Sequence, residues 1–372
     1  MDQLSAGIPL LSTLSRGIPL IFYCHFPDKL LAKRGGSLKN LYRVPFDLLE
    51  SWSTGFSDTV VVNSNFTKGI FGQAFPALKH KNPRVVYPCV DTSASREKDE
   101  ESEQPLWGSK KVLLSINRFE RKKDVGLAIR AYAKLSKEER NNGRLVIAGK
   151  TCARSAQVQI LTLVLGGYDS RAAENVSYHQ ELCALADSLG LQHATHKTTI
   201  TALAIPSEID VLFLLSVPNA FKSTLLAKSK LLIYTPLHEH FGIVPLEAML
   251  AETPVLAANE GGPTETVVDH QTGWLRDVTK IDEWSSVMKF AVNPQSQGQL
   301  DEMGRRGRQR VIQEFSKDKM AARLDSEIQT MIAQSRGSGI PLAGTDLAAF
   351  GILGAVISIV VLFSVVSLAT QK

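Results

Sequence analysis

Thr235-Pro236-Leu237-His238-Glu239-His240-Phe241-Gly242-Ile243-Val244-Pro245-Leu246-Glu247-Ala248 sets two glutamates at a Glu-x7-Glu spacing, with a glycine between them and a proline just ahead of the second. The run before it, Leu231-Leu232-Ile233-Tyr234-Thr235, is apolar and reads as a buried strand. Pro245 suits the first turn of a helix, where its missing N–H leaves no bond unmade. Glu239 therefore falls on the loop leaving a strand, and Glu247 inside the first turns of the next helix. In a doubly wound sheet that loop faces the ligand crevice at the carboxyl ends of the strands. A plainer reading serves this segment alone equally well: Glu247 complements the positive helix start and Glu239 is solvated.

Two more loops have the same construction. Lys111-Val112-Leu113-Leu114-Ser115-Ile116 reads as a strand and is followed by Asn117-Arg118-Phe119-Glu120-Arg121-Lys122-Lys123-Asp124. Beyond it Val125, Leu127, Ala128, Ala131, Tyr132 and Leu135 recur at helical spacing. The cations Arg118, Arg121, Lys122 and Lys123 thus crowd one strand-to-helix loop. Arginine offers a bidentate fork and lysine a point charge, so the cluster suits a diphosphate; a solvated basic turn is the commoner meaning of such a run. The strand Pro254-Val255-Leu256-Ala257 leads into Ala258-Asn259-Glu260-Gly261-Gly262-Pro263-Thr264-Glu265. Its paired glycines let backbone approach a ligand closely, and Pro263 opens a helix. Each loop is a weak signal alone; three in this order point to one ligand edge.

Together these residues resemble the retaining glycosyltransferases of the GT-B type, which pair two Rossmann-like domains and carry a Glu-x7-Glu motif. His25-Phe26-Pro27-Asp28, Val62-Asn63-Ser64-Asn65-Phe66-Thr67, Ser115 to Lys123 and Glu239 to Ala248 are similar, more closely, to the α-1,3/1,6-mannosyltransferases of the asparagine-linked glycosylation pathway. The resemblance runs from about Asp2 to the 330s. It implies an α/β fold and a retaining transfer of mannose from GDP-mannose to dolichyl-diphosphate-linked mannosyl-chitobiose, in α-1,3 and then α-1,6 linkage. Implied partners are GDP-mannose, the dolichyl-diphosphate oligosaccharide, the endoplasmic reticulum membrane with the catalytic body on its cytosolic face, and other glycosyltransferases of the pathway. An inactive membrane-anchored nucleotide-sugar-binding remnant and a GT-B enzyme with another donor stand as alternatives.

The chemistry constrains the roles. Transfer from a nucleotide diphosphate sugar must stabilise a departing diphosphate and an oxocarbenium-like sugar. No two aspartates stand two positions apart, so no Asp-x-Asp metal pair is present and no cofactor is expected. Fixed cations then take that charge, which singles out Arg118 and Lys123, as in the matching family motif. By resemblance Glu239 contacts the mannose hydroxyls and Glu247 the ribose hydroxyls. Phe241 and Gly242 offer backbone N–H groups near the helix start, and Gly261, Gly262 and Glu265 match the loop that shapes the donor pocket. His25 follows an apolar strand and is a candidate on the acceptor side, against the more usual structural role of a strand-end histidine.

The net charge of +5 over 372 residues is modest and dispersed and does not suggest nucleic acid. Cys24, Cys89, Cys152 and Cys183 are scattered, with no metal-binding spacing. The start, Met1-Asp2-Gln3, lacks the basic region of a secretory signal. Residues 347–370 carry no charge and are dense in Ile, Val, Leu and Phe, enough to cross ~30 Å of hydrocarbon as one transmembrane helix. The sequons Asn65-Phe66-Thr67 and Asn175-Val176-Ser177 become glycan sites only if they face the lumen.

Residues 20–23, 59–63 and 84–87 read as strands, and Ser37–Ser53 as an amphipathic helix with Leu38, Leu41, Tyr42, Phe46, Leu49 and Trp52. Residues 1–91 are expected to be an incomplete amino-terminal acceptor domain, since relatives begin well upstream. Residues 92–108 are a charged linker, and 109–335 the donor domain, with strands at 111–116, 144–148, 231–235 and 254–257. Within it, Lys150–Gly166 interrupts a Leu-Val-Ile-Ala-Gly-Gly-Tyr-Asp pattern, in a place where such loops take ~2–6 residues. Gly149-Lys150 and Leu165-Gly166 can encode splice signals whose removal restores that pattern in frame, so we read the insertion as a retained intron. A major transcript continuous through it would contradict this.

Overall fold

The computed structural model describes residues 2, 4–14, 18–31, 37–92, 106–107, 110–150, 169, 171–196 and 205–337. The chain forms two compact units: Met1–Tyr87 with the C-terminal segment from Met320, and Pro88–Lys319. Most of the 92–108 linker, the insertion from residue 151 to 166 and the apolar 347–370 stretch lie outside the described residues. Among the described residues no helix is long and apolar enough to cross a membrane.

In the first unit, β1 (Ile21–Cys24), β2 (Thr59–Val62) and β3 (Arg84–Val85) make a parallel sheet in the order β1-β2-β3. Val60, Val61 and Val62 are fully buried, as β-branched residues on a covered parallel strand should be. Phe22, Cys24, Phe71, Phe75 and Ile8 complete the core around them. The expected helix forms as Ser37–Gly55; Phe46, Leu49 and Trp52 of its expected stripe are half-buried, and the face beside them is poorly covered. Leu41, Val44 and Leu48, on one face, are 68%, 48% and 64% exposed, because three short strands offer little area to pack against. Residues of the helix Lys317–Gly337 join this unit: Glu327 lies 3.8 Å from Arg84, and the Arg323 guanidinium stacks 5.3 Å from the Tyr87 ring.

Among the described residues the second unit holds seven strands: β4 (Lys111–Ile116), β5 (Gly143–Lys150), β6 (His193–His196), β7 (Val211–Val217), β8 (Ser229–Tyr234), β9 (Val255–Ala258) and β10 (Gly273–Arg276). All pair in parallel, in the order β10-β9-β8-β4-β5-β7-β6. β4, β5, β8 and β9 lie within a residue or two of the expected ranges. β6, β7 and β10 were not expected. β7 is a continuous apolar run, which periodicity cannot distinguish from a buried helix segment, while β6 and β10 are four-residue strands at the two edges. From β4 the order grows one way through β5 and the other way through β8, so the switch point lies between β4 and β8. In an open parallel sheet that point opens a crevice outside the carboxyl ends, and the loops after β4, β8 and β9 all leave from that edge.

Candidate active site

The loop after β8 opens with Thr235, fully buried, whose hydroxyl donates to the Lys123 carbonyl at 2.6 Å. This one bond ties the β4 and β8 loops together across the switch point. The Lys123 ammonium in turn reaches Glu239 Oε2 at 2.5 Å, with both side chains largely buried. Burial alone would push the Glu239 carboxyl up. The charge and hydrogen bond of Lys123 outweigh it, helped by His240 and by the Tyr234 hydroxyl, and hold the carboxyl below its ordinary value of 4.5. Tyr234 shows the opposite response: burial, and then the neighbouring Glu239 charge, raise its phenol well above its ordinary value of 10.0. At neutral pH the site thus presents an ionised carboxylate steadied by an ammonium and a protonated phenol. Such a carboxylate only accepts hydrogen bonds, which suits the hydroxyls of a sugar.

Arg118 stands on the same loop, its guanidinium 2.9 Å from Glu120 Oε1, and Lys122 lies 3.1 Å from the other oxygen of Glu120. Arg121 points elsewhere, pairing with Glu181 and donating to the Ser177 hydroxyl at 3.0 Å. The four-cation cluster therefore divides: Lys123 and Arg118 belong to the crevice loops, and Arg121 braces the helix Ala173–Ser188. Asn175 on that helix is buried, donates to the Phe119 carbonyl at 3.0 Å and accepts from the Asp169 amide at 2.9 Å. One expected sequon is thus built into the support of the Arg118 loop.

Gly242 caps the helix Ile243–Leu250 with a φ of +85°, and Pro245 lies in its first turn. The Phe241 ring is buried with its centroid 5.8 Å from that of Phe315. The glycine loop after β9 packs on this turn. Gly262 N donates to the Glu239 carbonyl at 2.7 Å, and a Cβ at Gly262 would stand 2.2 Å from Phe241 Cα. Gly261 has a φ of +70°, and a Cβ there would lie 2.7 Å from the Glu239 carbonyl oxygen. The close approach expected of these glycines is thus made to the Glu239–Phe241 backbone. Glu265 follows in the helix Pro263–Thr266, where its carbonyl accepts from Arg310 at 2.8 Å.

Glu247 sits in the second turn of its helix, and Lys222 donates to its Oε1 at 2.7 Å. Lys222, Tyr234 and Thr235 were not singled out from the sequence. A lysine three and four positions before the buried Leu225 and Leu226 is the trace that Lys222 left there. His25 lies in the other unit, where its Nε2 is 2.8 Å from Asp2 at the surface. Among the described residues no three or more potential ligands cluster as a metal site would need.

Two family models match the chain: Glycosyl transferases group 1 over residues 97–310 and Glycosyltransferase Family 4 over residues 2–94. The alpha-1,3/1,6-mannosyltransferase alg-2 of Neurospora crassa is 47% identical over 370 residues, which cover 96% of this chain and 75% of that protein. The chain belongs to the α-1,3/1,6-mannosyltransferase family. The mannosyltransferase of the same name from Candida albicans is 44% identical, over 88% of this chain and 75% of its own length. The Saccharomyces cerevisiae mannosyltransferase is 41% identical, over 89% of this chain and 65% of its own length. Among solved structures, Anabaena HepE in complex with UDP superposes with a TM-score of 0.64 at 18% identity, covering 88% of this chain and 76% of that one. A trehalose-phosphate synthase from Burkholderia xenovorans gives 0.62 at 12% identity, covering 88% and 73%. These place the mannosyltransferase in the GT-B fold with its parallel sheets.

Proposed function

We propose that this chain transfers mannose from GDP-mannose to dolichyl-diphosphate-linked mannosyl-chitobiose, and then to the product, making an α-1,3 and an α-1,6 linkage in lipid-linked oligosaccharide assembly. The observation that carries this reading is the Lys123–Glu239 pair at the β4/β8 switch point, in a chain whose relatives are named mannosyltransferases. The bond from the mannose anomeric carbon to the β-phosphate oxygen breaks with its electron pair leaving on GDP. The acceptor hydroxyl oxygen forms the new bond to that carbon, and its proton passes to the departing phosphate oxygen. Arg118 and Lys123 meet the charge growing on the departing diphosphate, so they favour the transition state over the bound donor. Glu239 accepts from mannose hydroxyls and orients the sugar; Glu247 accepts from the ribose. Phe241 and Gly242, at the helix start, supply N–H groups, while Gly261, Gly262 and Glu265 hold the floor of the donor pocket. His25 is assigned to the acceptor side. No cofactor is proposed.

The charge-free 347–370 stretch supports a transmembrane anchor, with both units on the cytosolic face of the endoplasmic reticulum beside other enzymes of lipid-linked oligosaccharide assembly. The test is a competition for transfer to lipid-linked mannosyl-chitobiose between GDP-mannose, UDP-glucose and UDP-N-acetylglucosamine. Product from GDP-mannose alone is expected; preferential use of a UDP-sugar would overturn the donor assignment.

A further inference from the structure

The helix Asn219–Lys228 turns Leu225 and Leu226 inward, and Lys222 shares their face. Only 8% of Lys222 is exposed, and lysine is seldom buried so far unless it is paired. Its ammonium is paired, at 2.7 Å from Glu247 Oε1. The other oxygen of that carboxylate, Oε2, is also buried and has no hydrogen-bond partner among the described residues. A buried carboxylate oxygen without a donor is costly, so native structures rarely keep one unless something is to meet it. The arrangement is therefore asymmetric: Lys222 meets one oxygen of Glu247, and the other is buried without a donor.

We infer that Lys222 is a positioning residue, fixing the Glu247 carboxylate through Oε1 in the setting from which it meets the donor's ribose hydroxyls, and that it thereby sets the preference for a nucleotide with an intact ribose. This rests on the reading of Glu247 as the ribose-binding carboxylate. Without the ammonium the carboxylate has no fixed partner and its torsions are free, so its hydrogen bonds to the ribose must be made at an entropic cost. The ammonium itself is committed to Oε1 and acts through Glu247.

The test is equilibrium binding of GDP and of 2′,3′-dideoxy-GDP, by calorimetry, to the full chain and to Lys222→Met, Glu247→Gln and the double variant. The native chain should prefer GDP by about tenfold or more, the loss expected when a charged acceptor is deprived of its donors. Lys222→Met should shrink that preference to within about threefold by weakening GDP while leaving dideoxy-GDP unchanged. Added to Glu247→Gln, it should change neither affinity further. The double variant leaves no unpaired buried charge, so it decides the matter if Lys222→Met alone fails to fold. Equal weakening of both nucleotides by Lys222→Met, with the preference intact, would overturn the proposal. So would a further loss of GDP in the double variant relative to Glu247→Gln. If Glu247→Gln itself keeps the native preference, it is the ribose assignment of Glu247 that falls.

Discussion

Lys123 serves two ends at once, and its variants should separate them. It keeps Glu239 ionised, and on the proposed reading it meets the diphosphate. Because the pair is largely buried, Lys123→Met should cost about 1–3 kcal/mol by leaving a desolvated carboxylate unpaired. The sequence alone would have made it an exposed cation of little structural weight. The pH dependence has a definite sign. A carboxyl whose folded pKa is depressed contributes stability above its unfolded value, near 4.5, and loses it as pH falls through the folded value. In Lys123→Met the depression is removed, so acid unfolding followed by circular dichroism should begin at higher pH than in the native chain. Arg118 is more exposed and, among the described residues, pairs within its own loop. Arg118→Ala should leave the urea midpoint nearly unchanged while lowering mannose transfer by ~10²–10³. A midpoint shift as large as that of Lys123→Met would show that its part is structural.

At the scale of elements, the β8 and β9 loops are held together by contacts that only glycine allows. Gly262→Ala must move a Cβ away from Phe241 Cα, which stands 2.2 Å off, so it should destabilise the unit by about 1–3 kcal/mol and weaken GDP binding by displacing Glu239. Native stability with native affinity would mean that the two loops do not act as one piece. This interlock marks what the sequence could and could not convey. The placement of Glu239, Gly242 and the two loop glycines on loops after apolar strands, and of Glu247 in the helix that follows, was legible because punctuating residues mark where a strand ends and a helix begins. β4, β5, β8 and β9 were legible as buried runs. The partners were not: that Lys123 meets Glu239 rather than solvent, that Asn175 carries Phe119, and that Lys222 meets Glu247 all depend on long-range packing that local spacing does not encode. The helix Ser37–Gly55 erred the other way. Phe46, Leu49 and Trp52 of its stripe are half-buried, but Leu41 stays exposed with Val44 and Leu48 beside it, since pattern shows which face is apolar and not what covers it.

For the whole molecule, the donor loops all precede residue 270, and the proposed anchor begins at residue 347. Removing residues 347–372 should therefore release the protein from microsomes into detergent-free buffer with GDP binding retained. Persistent membrane association would shift the anchoring role to the exposed Leu41, Val44 and Leu48 face. At the centre of the proposed transfer the ionised Glu239, paired with Lys123 at the switch point, orients the sugar of a nucleotide-mannose donor. The direct measurement is the rate of mannose transfer from GDP-mannose to lipid-linked mannosyl-chitobiose by Glu239→Gln beside the native chain, with thermal unfolding recorded on both. A fall of ~10²–10³, assayed well below the variant's unfolding temperature, which the unpaired Lys123 ammonium lowers, is the predicted result. Undiminished transfer by Glu239→Gln would contradict it.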